Sequence, residues 1–283
     1  MQYANRKVSA YSIHAHGKKF DGNYVAVFKA IYDIEKTARF VKMSSMTVGI
    51  PDVVPLDSDY FLTFIEGEEG VQPLIFDSQT GTTYENELEA HEILVSASHA
   101  LVVPAKRRIL IEYVKSAPKA PIMERVIEQL LQRKYGSDFR ISFSPIVEEN
   151  FIREINKFKR IRVASLTLIK PNAGWDDHYT KISQMLEESG GEKADLSVRA
   201  GRGESLSKNA GIVEVIKDVA NDHQPYLVDA EIVGTKEGEE VETRVPLNQH
   251  VVHRNISVQK QKNGSLNVLK LREKMRELVG SLF

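Results

Sequence analysis

Lys106, Arg107 and Arg108 stand side by side, and Arg153, Lys157, Lys159, Arg160 and Arg162 gather further along the same stretch. Side chains of this type neutralise phosphates, and each neutralised phosphate releases counterions, so a cluster supplies affinity without reading bases. The stretch Ala105 to Pro171 holds fifteen Lys and Arg against seven Asp and Glu. The preceding stretch, Pro51 to Ala100, holds eleven Asp and Glu and neither Lys nor Arg. The formal net charge of −1 therefore conceals a sharp separation of sign along the chain. Further on, the segment RAGRGES offers Arg199 and Arg202 with Gly201, Gly203, Ser205 and Ser207 nearby. A strand, a glycine loop and a helix in that order place backbone N–H groups toward an anion. The segment is neither a Walker loop nor the full dinucleotide fingerprint, so it reads as one phosphate contact on a larger basic surface. A nucleic acid is the expected partner, and the acidic stretch is a candidate cover for the basic one. No recognition-helix motif is present, so sequence-specific readout is not expected.

The remaining polar residues offer few catalytic arrangements. A metal nuclease needs two or three carboxylates, often with a Lys, converging on a cation. Glu112 and Lys115 are close in sequence but fall on opposite faces of a strand. Glu66, Glu68 and Glu69 lack the ladder of oxygens that a calcium loop requires. His14 and His16 share a strand face without a third ligand, and a hydrogen-bonded pair accounts for them. Arg244 and His250 have a spacing found in some ribonuclease sites, but Pro246 and the strand-like surroundings oppose a helix there. His250 and His253 meet the same objection. His99 sits in an apolar run, where a satisfied core histidine is expected. No catalytic residue, metal or cofactor is assigned.

The elements that must position these residues follow from periodicity and turn signals. Lys7 to His16 alternates as a strand. Asp21 is a candidate cap for a helix from about Asn23 to Val41, with Tyr24, Val27, Phe28, Ile31, Ile34 and Ala38 on one stripe. Lys42 to Ile50, Tyr60 to Ile65 and Gln72 to Phe76 read as strands, with a loop marked by Pro51, Pro55 and Asp57. Ile93 to Pro104 is an apolar run suited to a strand buried on both faces. Arg107 to Lys115, Phe139 to Phe143 and Arg160 to Lys170 are expected strands. They are separated by a helix begun at Pro121 and ended at Gly136, and by a second helix from about Val147 to Phe158. This β-α-β-α-β order suggests one sheet with helices packed on a face. A helix from Gly174 to Leu186, a strand from Asp195 to Arg199, a helix through Ile212 and Val219, and a hairpin of Tyr226 to Val233 with Val241 to Pro246 complete the middle. A helix from about Leu266 closes the chain.

At 283 residues, with 42% hydrophobic and 27% charged residues, the chain is long enough for one large domain or two ordinary ones. The expected class is α+β in two parts, an acidic part over 1–104 and a basic part over 105–283. Cysteine is absent, which removes disulfides and thiol catalysis and suits a cytoplasmic protein. No apolar run spans a bilayer and no secretory signal is seen at MQYANRKVSA.

Four features carry a resemblance. They are the IEG turn after a Phe-rich strand (Phe64 to Gly67), ILIEY followed by IMERVIEQLL, ISFSP followed by FIREINKF, and VPLNQ followed by a C-terminal helix. In their order, from about Phe61 onward, the chain resembles the Rex exclusion A proteins of lambda-type phage and a bacterial family found beside antiviral defence genes. The resemblance implies a defence-associated, homodimeric protein that binds duplex DNA with little sequence preference. It anchors none of the basic residues, whose assignment rests on charge clustering. Two other classes stay open: a nuclease or RNA-cleaving toxin of a defence system, and a sensor subunit that docks on an effector or membrane partner.

Overall fold

The computed structural model describes residues 2–20, 22–89, 91–169, 188–191, 193–221 and 227–283. It is a mixed α+β fold, mostly antiparallel sheet, as the periodicities indicate.

The first strand, β1 (Tyr3–His16), is the one around which the larger sheet is built. Its residues 7–12 pair with β8 (Arg108–Tyr113) along one edge. Along the other edge it changes partner. Residues 3–9 pair with β14 (His253–Gln259), and residues 11–16 pair with β9 (Arg140–Pro145). The change happens at Ala10, whose N–H donates to the Val252 carbonyl and whose carbonyl accepts from Ile146 N–H. Val252 N–H in turn donates to the Ile146 carbonyl at 2.7 Å, so two distant segments are knitted together there. Beyond β8 the sheet continues through β7 (Ser96–Val103), β4 (Asp59–Glu68), β3 (Met46–Leu56) and β2 (Phe40–Met43). A separate hairpin joins β5 (Leu74–Asp77) to β6 (Thr82–Glu85). The second sheet has the order β11 (Lys193–Arg199), β10 (Phe158–Ile169), β12 (Leu227–Lys236) and β13 (Glu242–Pro246).

Alternation along the strands sends successive side chains to opposite faces, and both faces of the larger sheet are covered. One face carries Ile13, Leu62, Phe64, Val102, Ile109 and Ile111, beneath α1 (Tyr24–Tyr32) and α2 (Ala120–Tyr135). The other carries Val8, Ala10, Phe61, Leu101, Leu110 and Val258, beneath α5 (Val268–Leu282), which contributes Leu271 and Met275. The second sheet buries Ile161, Leu166, Ala230 and Ile232 against α3 (Glu149–Asn156) and α4 (Ile212–Asn221). Phe151, Ile155, Val213 and Ile216 are the helical side of that core. Each large side chain so buried contributes about 1.5–3 kcal/mol relative to exposure.

Several expectations need correction. The boundary drawn after residue 104 falls between β7 and β8, which are hydrogen-bonded neighbours in one sheet. The β-α-β-α-β run does not form one sheet. Its first two strands, β8 and β9, flank β1, while its third, β10, opens the other sheet. The first helix ends at Tyr32 and not near Val41. The Arg39 guanidinium donates to the Ile34 and Tyr32 carbonyls at 2.8 and 2.6 Å and closes the helix end. Its cap is Asn23, whose Oδ1 accepts from Ala26 N–H; Asp21 lies outside the described residues. Pro51 and Pro55 lie within β3. Beyond Gly49 that strand has left β2 behind, so neither proline removes a ladder bond on that edge. Lys170, the expected helix from Gly174 to Leu186, and Tyr226 lie outside the described residues.

Candidate nucleic-acid interface

Three of the cations chosen by clustering come together around a groove of about 860 Å³. Lys106 ends the short 3₁₀ turn between β7 and β8, Arg108 begins β8, and Arg153 lies on α3. A fourth, Arg254 on β14, was not singled out from sequence. Arg254 shares a strand face with Ile256 and Val258, and that placement at the edge of a buried face is the signal the sequence offers. The groove floor is Ile146, Val147 and Val252, where the partner change on β1 stitches the chain together, and Leu282 and Phe283 form one wall.

The four cations are held by weak or replaceable partners. Arg254 faces Glu148 at 3.6 Å, and Arg153 faces Glu149 at 2.9 Å one helical turn away. Exposed pairs of this kind are worth only about 0–1 kcal/mol, so a phosphate displaces such carboxylates at small cost. Lys106 Nζ donates to the Phe283 carbonyl at 2.8 Å. Arg108 donates to Ser12 Oγ at 2.7 Å and lies over the Phe283 ring. Burial, with the neighbouring Arg107 charge, pushes the Arg108 guanidinium down from its usual range. An incoming anion favours the charged guanidinium and so offsets both causes.

Arg107 does not join the groove. Its backbone is left-handed at φ 54°, and its guanidinium lies 5.5 Å from the Tyr24 ring centroid, on the α1 side of the sheet. Lys157 is engaged by Glu154 at 2.5 Å, and Lys236 reaches the same carboxylate at 2.6 Å. These two ammonium groups hold the Glu154 carboxyl down to about 2.

The remaining basic residues form a second patch along the start of β10. The RAGRGES segment is laid along that strand, not poised at a helix start. Ala200 N–H donates to the Arg162 carbonyl, Leu206 N–H to the Ile161 carbonyl, and Ser205 Oγ accepts from Ile161 N–H. Arg160 Nε donates to the Glu204 carbonyl at 2.9 Å, and Arg162 is paired with Glu242. The strand, loop and helix follow in the expected order, with α4 beginning at Ile212, and residues 199–206 lie along β10 and away from the helix start. Lys159, Arg199 and Arg202 are exposed beside this segment and have no carboxylate partner among the described residues.

The catalytic candidates disperse. Glu112 is fully buried, with His99 Nδ1 at 2.7 Å from one oxygen and Arg6 Nε at 3.2 Å from the other. The His99 ring stacks on Phe61. His99 is thus the satisfied core histidine its apolar run suggests, in a network with Arg6 that the sequence did not reveal. Lys115 is exposed, beyond the end of β8. Arg244 faces Glu231, whereas His250 pairs with Asn150 at 3.0 Å. Glu69 is taken by Lys42 and Thr47. The His14 and His16 rings are in edge contact, centroids 4.5 Å apart. Among the described residues, no three metal-ligating side chains converge.

A family model described as a domain of unknown function, DUF4747, matches residues 4–223. The chain belongs to that family. No curated protein matches it. The DUF4747 match contains Lys106, Arg108 and Arg153 and stops before β14 and α5, so one cation and one wall of the groove lie beyond it. Among the described residues, no helix is long and apolar enough to cross a membrane.

Proposed function

We propose that this protein binds nucleic acid, duplex DNA foremost, by seating backbone phosphates in the groove between β8, α3, β14 and α5. The observation that carries this reading is the convergence of Lys106, Arg108, Arg153 and Arg254 on one concave surface. Phosphate contacts of this kind position a duplex without reading it, so affinity is set by charge and varies little with sequence. The patch of Lys159, Arg160, Arg162, Arg199 and Arg202 is a second point of contact in the same reading. A role in antiviral defence rests on the pattern-level resemblance to the Rex exclusion A proteins alone.

The test is anisotropy of a labelled duplex of about 20 base pairs at salt from roughly 50 to 200 mM. Wild-type protein gives a steep negative salt slope that is the same for unrelated sequences. Arg153→Ala and Arg254→Ala each weaken binding and flatten the slope by about one unit. Magnesium is included and the strands are run on a gel afterwards. A slope unmoved by either change removes the groove from the reading, and cut strands replace it with a nuclease.

A further inference from the structure

The β5–β6 hairpin stands apart from both larger sheets, its strands pairing only with each other. Leu74 and Phe76 lie on one face, at 66% and 63% exposure, and Ile75 and Tyr84 are opposite partners on the other, also exposed. Val71, Leu94 and Val95, on the flanking segments, are exposed too. A lone hairpin is marginal in water, and a run of exposed apolar side chains of this density marks a contact surface.

The chemistry of the missing cover follows from the charge around the hairpin. Asp77, Glu85, Glu87, Glu89 and Glu92 surround the apolar residues, and none has a cationic partner among the described residues. The ion pairs that the acidic stretch does make go to Lys36, Lys42, Arg276 and His99–Glu112, and only the last reaches the basic stretch. Within one chain, then, the acidic stretch does not cover the basic groove, and no hairpin residue lines it. An acidic, apolar projection calls for a basic, apolar recess. The groove is such a recess, with Lys106, Arg108, Arg153 and Arg254 around a floor of Ile146 and Val252.

We infer that the β5–β6 hairpin of one copy seats in the groove of a second copy, head to tail. The protein then carries its own competitor for the groove, and a polyanion must displace it. The inference rests on the groove being a site for anionic groups, and it names an occupant for it. A heterologous contact of this kind closes into a ring or extends into a chain according to the rotation between copies.

The test is sedimentation velocity of the full chain, over a range of concentrations and without nucleic acid, so failure of DNA binding does not bear on it. Wild type associates with concentration, and salt weakens the association. The double changes Leu74→Ser with Phe76→Ser, and Arg153→Glu with Arg254→Glu, alter exposed residues and leave the circular dichroism unchanged. Each weakens self-association at least about tenfold. An equal mixture of the two variants forms a one-to-one pair, because each retains the half the other lacks. Wild type that stays monomeric, association that either variant leaves intact, or a mixture that does not pair overturns the inference.

Discussion

Glu124 shows how one buried carboxyl does structural work in this fold. It lies on α2, and its Oε1 accepts the Phe143 N–H at 2.5 Å. That N–H points away from β1, on the open edge of β9, so the carboxyl closes a strand edge that would otherwise invite pairing. Burial pushes the Glu124 carboxyl up to about 7, and the same site raises the Tyr11 phenol. Between the ordinary value of 4.5 and about 7, the folded chain holds a proton that the unfolded chain has released. Stability from this group is therefore full below 4.5 and falls as pH rises through that window, by on the order of 2–3 kcal/mol. Glu124→Gln keeps an acceptor for Phe143 and removes the titration. Urea midpoints at pH 5 and pH 8 check this: the variant gains on wild type at pH 8, and the gap narrows at pH 5.

At the scale of elements, the handover from α3 to β10 is the most constrained junction. Gly234 on β12 faces it, and a Cβ there would stand 2.1 Å from the Arg160 carbonyl oxygen and 2.9 Å from Ile161 Cα. Close backbone approach of this kind is what a strand glycine is for. Gly234→Ala forces β10 and β12 apart beside the register shift at Ile161. A melting temperature lowered by several degrees is expected, with a loss of about 2 kcal/mol or more. Most elements were legible because their periodicity is strong. Met123, Val126, Ile127, Leu130 and Leu131 form the stripe of α2, and all five are buried. Expectations fail where a side chain sets the boundary. Arg39 closes the end of α1 by reaching back to the Tyr32 and Ile34 carbonyls, and neither the apolar stripe nor a cap residue signals this. The groove was half legible. Clustering found Lys106, Arg108 and Arg153, but Arg254 reaches them only because β14 pairs with a strand at the other end of the chain. The same clustering gave equal weight to Arg107, whose left-handed backbone turns it to the opposite side.

For the molecule as a whole, the change of partner along β1 sets the order in which the sheet is finished. During synthesis β1 emerges ahead of β8 and β9, and β14 follows only after both of them. Until then residues 3–9 present an unpaired edge, and the face that α5 covers, with Phe61, Leu101 and Leu110, lies open. A nascent chain in that state is a template for its neighbours on the same message. A chain cut at residue 246, after β13, keeps all four strands of the second sheet and is fixed in it permanently. Such a fragment should pellet on expression, whereas the full chain stays in the supernatant. Supplying residues 247–283 in trans should recover part of it, since β14 and α5 are elements that the rest of the protein has already shaped a place for.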